Sequence, residues 1–204
     1  KHPEKSAEFI ARGKFILEEA LKNFPDSSHV VQGEYLLANL YQELATEQRE
    51  NKNVAEARRL FSEALARFSQ ILAIWPDGEY AARSQYHKAL CLEMLEDYRS
   101  GREDSVKMTY LYPESELVGD AAIRLATYYY KDAKRYDVSA RIYKNFQERF
   151  PNHEKAPRAL FMCGSCYVKQ AEKIQAEAKK NNLSGMSSEA SMMYLKAAKA
   201  FDLL

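Results

Sequence analysis

The chain of 204 residues carries 30 Lys and Arg against 29 Asp and Glu, a formal net charge of +1. That balance excludes a strong electrostatic pull on nucleic acid or an anionic membrane, and the sequence holds no run of about 18 apolar residues that could span a bilayer. Charged residues at 29% and apolar ones at 46% describe an ordinary globular composition, and the seven glycines and six prolines fall mostly at regular positions, which points to helices throughout.

In chain order, residues near 5–23 read as a helix that stops at Phe24-Pro25. A helix at 28–48 carries Ala38 and Tyr41. The stretch Glu43 to Arg59, rich in Glu, Gln, Arg and Asn, reads as a lengthened hairpin standing out from the rest, with its turn near Asn51-Lys52-Asn53. Helices near 79–96, 99–111, 116–132 and 136–149 form two regular pairs. A second long hairpin follows: helix through Val168 to Lys180, a turn at Asn181-Asn182-Leu183-Ser184-Gly185, and helix again from Met186 to Leu204. Either hairpin could dock a partner or be a solvated extension. The chain opens in the second helix of a pair and closes on another, marked by Tyr194, Ala197 and Phe201. The expectation is one continuous body over 1–204, with boundaries near Pro25, Pro76, Pro113 and Pro151, truncated at both ends.

The spacing behind this layout is regular. Four aromatic-proline pairs punctuate the chain: Phe24-Pro25, Trp75-Pro76, Tyr112-Pro113 and Phe150-Pro151. Thirteen residues after each proline stands a small residue (Ala38, Ala89, Ala126, Gly164), and three further on a large one (Tyr41, Leu92, Tyr129, Tyr167). Twelve before each proline is another small residue (Gly13, Ala64, Gly101, Ser139), with Leu17, Phe68, Ser105 and Tyr143 four places later. Ser105 is the poor fit. Three before come Ile10, Phe61, Tyr98 and Tyr136. Offsets of three and four place each set on one helix face. The small residues let two backbones approach, and each proline pushes its predecessor out of the α region so that the helix must stop. Asp26-Ser27-Ser28, Asp77, Ser115 and Asn152 stand where side chains could cap the next helix.

This pattern resembles the tetratricopeptide repeat, a helix–turn–helix unit of about 34 residues; the copies here run 37 and 38 residues (Pro76 to Pro113, Pro113 to Pro151). The resemblance implies an all-α, right-handed α-α superhelical solenoid of about four helix pairs with two elongated hairpins. The longer repeat, with Tyr-Pro-x-Ser and Lys155 to Leu160 (Lys-Ala-Pro-x-Ala-Leu), is similar to bacterial envelope proteins of the Tol–Pal-associated periplasmic type and of the outer-membrane β-barrel assembly lipoprotein type. That likeness implies a periplasmic or cell-envelope location; the cytoplasm is the alternative.

Cys163-Gly164-Ser165-Cys166 is the one constellation with a catalytic look. A C-x-x-C motif reads as redox chemistry beside a βαβ pattern, but here it falls inside a helix with Gly164 at the small-residue position. Cys91 occupies the same repeat position as Cys166, as a small apolar filler would. His2, His29, His87 and His153 are scattered, and no metal-ligand spacing or Gly-rich phosphate loop appears. The acid pairs Glu18-Glu19 and Glu103-Asp104 read as solvating charges. No cofactor or enzymatic activity is expected.

The repeat places first helices along the concave side. Residues one, four and five after each small residue then face the groove: Asn39, Gln42 and Glu43; Leu90, Glu93 and Met94; Thr127, Tyr130 and Lys131; Ser165, Val168 and Lys169, flanked by Tyr35, Tyr86 and Phe161. Such a mixed, partly aromatic surface, acidic early and basic late, suits a peptide or helix from another protein. The expected function is a protein-binding scaffold, with no nucleic acid and no direct membrane insertion. The alternatives are a thiol redox protein using Cys163 and Cys166, or an architectural spacer in a large assembly.

Overall fold

A computed structural model describes the backbone of residues 3–181, Gly185 and 187–204, with side chains from Phe9 onward. Nine helices account for most of the described residues: α1 (Pro3–Asn23), α2 (Val30–Glu50), α3 (Val54–Ile74), α4 (Ala81–Met94), α5 (Tyr98–Leu111), α6 (Val118–Lys131), α7 (Tyr136–Arg149), α8 (Ala156–Lys180) and α9 (Ser188–Phe201). No strand occurs among the described residues. His2, Met186 and the Asn182-Leu183-Ser184 part of the expected turn lie outside them. The helices form two compact units, Lys1–Leu117 with α1–α5 and Val118–Leu204 with α6–α9.

Two turn types alternate, and each has a local cause. At the aromatic-proline positions Trp75, Tyr112 and Phe150 adopt φ −128°, −128° and −126° with ψ 61°, 54° and 58°, outside the α region that a following proline disfavours. The carbonyls of Phe24, Trp75, Tyr112 and Phe150 then accept from the N–H of Ser27, Gly78, Ser115 and His153, at 3.0–3.2 Å. Each is a β-turn with proline at its second position. At α2, α4 and α8 the expected side-chain caps do not form. Ser27 and Ser115 instead accept N–H groups only two residues on, from His29 and Leu117. Their hydroxyls are used inside the turn, one step short of the helix. Side-chain caps occur at Asp97, accepting from the Ser100 N–H at 3.1 Å, and at Ser187, accepting from the Ala190 N–H at 3.1 Å.

The second turn type joins the helices of a pair and contains one left-handed residue: Lys52 (φ 61°), Glu96 (φ 69°) or Lys134 (φ 50°). The chain closes over it by N–H bonds from Asn53 to the Gln48 carbonyl and from Asp97 to the Leu92 carbonyl, at 2.8 and 2.9 Å. This is Schellman closure, normally made with glycine.

Both lengthened hairpins are packed, which corrects the picture of the first as standing apart. In α2 and α3, Ala45 and Ala57 are buried. Arg49 at the end of α2 donates to Met94 Sδ, and Arg58 lies 3.5 Å from Glu96, so the hairpin holds the α4–α5 turn. The α8–α9 hairpin buries Ala171 and Ala178 from one helix and Ala190, Ala197 and Ala200 from the other. Gln175 fixes its tip, donating to the Gly185 carbonyl at 2.7 Å and accepting from Ser187 N–H.

The small-residue positions sit at helix contacts as the spacing requires. Ala38, Ala64 and Ala126 are fully buried, and Ala89 nearly so. A Cβ on Gly101 would lie 3.1 Å from the Ala89 carbonyl oxygen, and the Ser139 hydroxyl donates to the Ala126 carbonyl at 2.8 Å. Gly13 is the exception, with open space where its Cβ would be. Tyr98 is also out of place at 54% exposed. Its counterpart Tyr136 rests on Tyr130, whereas the first helix of its own pair presents Glu93.

Candidate protein-binding surface

In the first unit the side of α4 that meets α2 and α3 carries Tyr80, His87, Cys91 and Met94. The His87 ring stacks on Phe68 at 5.4 Å, and its Nδ1 lies 2.9 Å from Gln42 Oε1. The side of α4 that meets α5 carries Gln85, Lys88 and Glu93. Gln85 donates to the Asp104 carbonyl at 3.0 Å, Lys88 pairs with Asp104 at 3.0 Å, and Glu93 lies against Gly101. Ala82, Arg83 and Leu90 lie outside these two contacts at helical spacing, and the Tyr86 ring lies 5.5 Å from that of His87.

Against that frame the expected surface residues separate. Tyr35 is buried, with its ring 4.8 Å from Tyr80 and 6.1 Å from Phe68. It is a core residue rather than a flank, because α4 covers that side of α2. Gln42 is engaged with His87, Met94 packs on the first unit's core, and Glu93 turns to α5. Asn39, Tyr86 and Leu90 are half-buried and Glu43 is exposed. Leu36, 47% exposed, lies 51 residues before His87 and on the matching side of α2, where it lines an open cleft with Leu17 and Leu21 of α1.

In the second unit Thr127 bonds the Tyr143 hydroxyl at 2.9 Å and Tyr130 rests on Tyr136 at 5.5 Å, so both face α7. Lys131 is exposed. On α8, Phe161 is half-exposed with its ring 5.7 Å from Phe201 on α9, Ser165 donates to the Phe161 carbonyl, and Lys169 pairs with Glu172 at 2.7 Å. Val168 is half-buried.

The cysteines lie inside the helix packing. Cys163 donates to the Ala140 carbonyl and Cys166 to the Ser139 hydroxyl, both on α7. Burial pushes the Cys166 thiol up to about 11 and the Cys91 thiol up to about 12, and raises Cys163 as well. A redox cysteine needs the opposite shift. Among the described residues no group of three or more His, Cys, Asp or Glu is placed to hold a metal. No described helix is long and apolar enough to cross a membrane.

Asp104 is a correction. It was read as a solvating charge, yet only 3% of it is exposed. Burial would raise its pKa, but hydrogen bonds and charge from Lys107 and Lys88 prevail and hold it below the ordinary carboxylate value. Glu103 does stay outside, paired with Arg99 at 3.1 Å.

Residues 83–197, more than half of the chain, match the YfiO family, described as outer membrane lipoprotein. The chain belongs to the YfiO family. Curated proteins provide no match. Among solved structures, two crystal structures of nearly identical TPR-like repeats from Podosopora anserina, one of them a point variant, are similar to this YfiO chain. The variant gives a TM-score of 0.54 at 14% identity, over 87% of this chain and 90% of the other. The second gives 0.53 at 11% identity, over 94% and 90%. At such identities the likeness shows the fold, a tetratricopeptide-repeat helical array.

Proposed function

We propose that this YfiO-family chain is a non-enzymatic protein-binding scaffold of the bacterial cell envelope, taking a peptide or helix against the outer strips of its first helices. The observation that carries the reading is Leu90, half-buried on the part of α4 outside its contacts with α3 and α5. On α2 the matched position is half-buried Asn39, with exposed Glu43 one turn on. An apolar side chain rimmed by polar residues is suited to anchoring a side chain of a partner. On the second unit taken by itself, Lys131 is exposed and Lys169 is paired with Glu172. The envelope location follows from the family's description as outer membrane lipoprotein. Thiol chemistry is disfavoured by the burial of all three cysteines.

A photo-crosslinking residue placed at Leu90 tests the reading. It should capture a protein partner in cells, whereas one at Tyr110, 79% exposed on a second helix, should not. Equal capture at both positions, or capture at Tyr110 alone, overturns it.

A further inference from the structure

The second unit holds an open cleft of about 230 Å³ between the turn that joins α6 to α7 and the far half of α8. Its walls are polar and unevenly matched. Lys134, the left-handed residue of that turn, and Lys173 of α8 both line it and both are exposed. Neither forms an ion pair with a described residue. Arg135, also at the cleft, is already held by Asp137 through two bonds of 3.1 Å. The side-chain nitrogen of Gln170, a further lining residue, is buried without an acceptor, a state that buried donors rarely keep. The first unit shows the same kind of junction closed. There the left-handed turn residue is Glu96, five places before Gly101 as Lys134 is before Ser139, and Arg58 of the neighbouring hairpin lies 3.5 Å from it. In the second unit turn and hairpin each bring a lysine, and two cations cannot close on one another.

We propose that this cleft binds one carboxylate side chain, Asp or Glu, presented by a protein partner. The carboxylate takes the part that Glu96 plays in the first unit: it lies between Lys134 and Lys173 and gives Gln170 an acceptor. The charge of the walls selects it. Arg135 and Asp137 cancel each other, and Lys134 and Lys173 stand against the single carboxylate of Glu177, which leaves one positive charge in excess. That excess matches a monoanion. The second charge of a phosphate dianion would meet Glu177 and Asp137 without a cation to answer it. Tyr136 and Ile174 supply apolar wall for the carbon chain of the incoming residue. The site lies in the second unit and goes beyond the reading built on Leu90, on which it does not depend.

The test is a nuclear magnetic resonance titration of the 204-residue chain with a blocked peptide, acetyl-Ala-Ala-Glu-Ala-Ala-amide. The side-chain amide signals of Gln170 should shift saturably, and binding should weaken as salt rises. The glutamine version of the peptide should bind more weakly by about fivefold or more, the loss of its ion pairs with exposed lysines. Lys173→Glu should weaken the glutamate peptide by a similar factor. So should Lys134→Glu, which places at this turn the residue that the matching turn already carries at φ 69°. Both positions are exposed, and circular dichroism checks that both variants keep the fold. No saturable shift with the glutamate peptide overturns the proposal, as does equal binding of the glutamine peptide or binding indifferent to both substitutions. Inorganic phosphate that binds more tightly than the glutamate peptide overturns the choice of a monoanion. Penta-alanine with a free C-terminal carboxylate that binds as tightly as the glutamate peptide removes the side chain as the group recognised.

Discussion

The α4–α5 and α6–α7 pairs have helices of equal length, 14 residues each, and interiors of opposite character. At matched positions α4–α5 has Glu93, Tyr98, Ser105, Gln85 and Asp104, where α6–α7 has Tyr130, Tyr136, Tyr143, Ala122 and Ile142. The second set packs rings and alkyl groups, with Tyr143 2% exposed. The first set closes by hydrogen bonds: Gln85 to the Asp104 carbonyl, Lys88 and Lys107 to the Asp104 carboxylate, Ser105 to the Gly101 carbonyl. A buried polar filling is tolerated when its groups are partnered. The repeat frame is thus set by small residues, turns and prolines, and the filling between them is interchangeable.

The sharpest way to break that equivalence is to empty the aromatic pair. Tyr143→Ala should destabilise the protein by about 3–5 kcal/mol, the cost of removing a buried aromatic ring. Ser105→Ala, at the matched place, should cost about 1 kcal/mol or less, since one internal hydrogen bond is lost. Urea denaturation of both variants measures the contrast; equal losses would mean that the two interiors are not built differently.

The frame itself is tested at Gly101. A Cβ there would lie 2.9 Å from Glu93 Cγ and 3.1 Å from the Ala89 carbonyl oxygen. Gly101→Val should therefore overpack the contact by about 1–3 kcal/mol. Gly13→Val, at the same repeat position with open space around it, should show no such overpacking. A thermal midpoint that falls equally in both would sink the idea that close approach selects the glycine.

The polar interior should also respond to acid. Asp104 has a depressed folded pKa because the Lys107 and Lys88 contacts outweigh burial. Its stabilising contribution is fully present above the unfolded carboxylate pKa of about 3.9 and is lost as pH falls through the lower folded value. Asp104→Asn should flatten the loss of stability below pH about 4. Ile142, at the matched place in α7, has no charge to titrate. Denaturation midpoints at pH 3, 4 and 7 for both proteins read this directly, and an unchanged acid slope in the variant would count against it.

The repeat frame was legible because it rests on near-invariant geometry. Proline and small-residue spacing placed the starts of α4 to α7 and the turn at Asn51-Lys52-Asn53 within a few residues of where they stand. The surface was less legible. Spacing gives the phase of a helix, but whether a flank is covered depends on the next helix. Tyr35 therefore went inside under Tyr80 and His87, and Thr127 and Tyr130 turned to α7. Asp104 was misjudged because its partners Gln85 and Lys88 lie on another helix, at a distance in sequence that no local pattern reports.

The smallest effect concerns the turns of the same two pairs. Glu96 and Lys134 adopt left-handed φ values of 69° and 50°, a region in which a side chain costs roughly 1 kcal/mol and glycine is free. Glycine also loosens the unfolded chain, so the net gain from Glu96→Gly or Lys134→Gly should be about 0.5 kcal/mol each. Glu96 additionally faces Arg58 at 3.5 Å across an exposed pair, which is worth a few tenths of a kcal/mol at most. Glu96→Gly should therefore gain slightly less than Lys134→Gly, and the shortfall should vanish in high salt, where the Arg58 pair is screened. Urea midpoints at low and high ionic strength resolve the two. A loss of stability in both variants would show that side-chain contacts, rather than backbone strain, decide these turns.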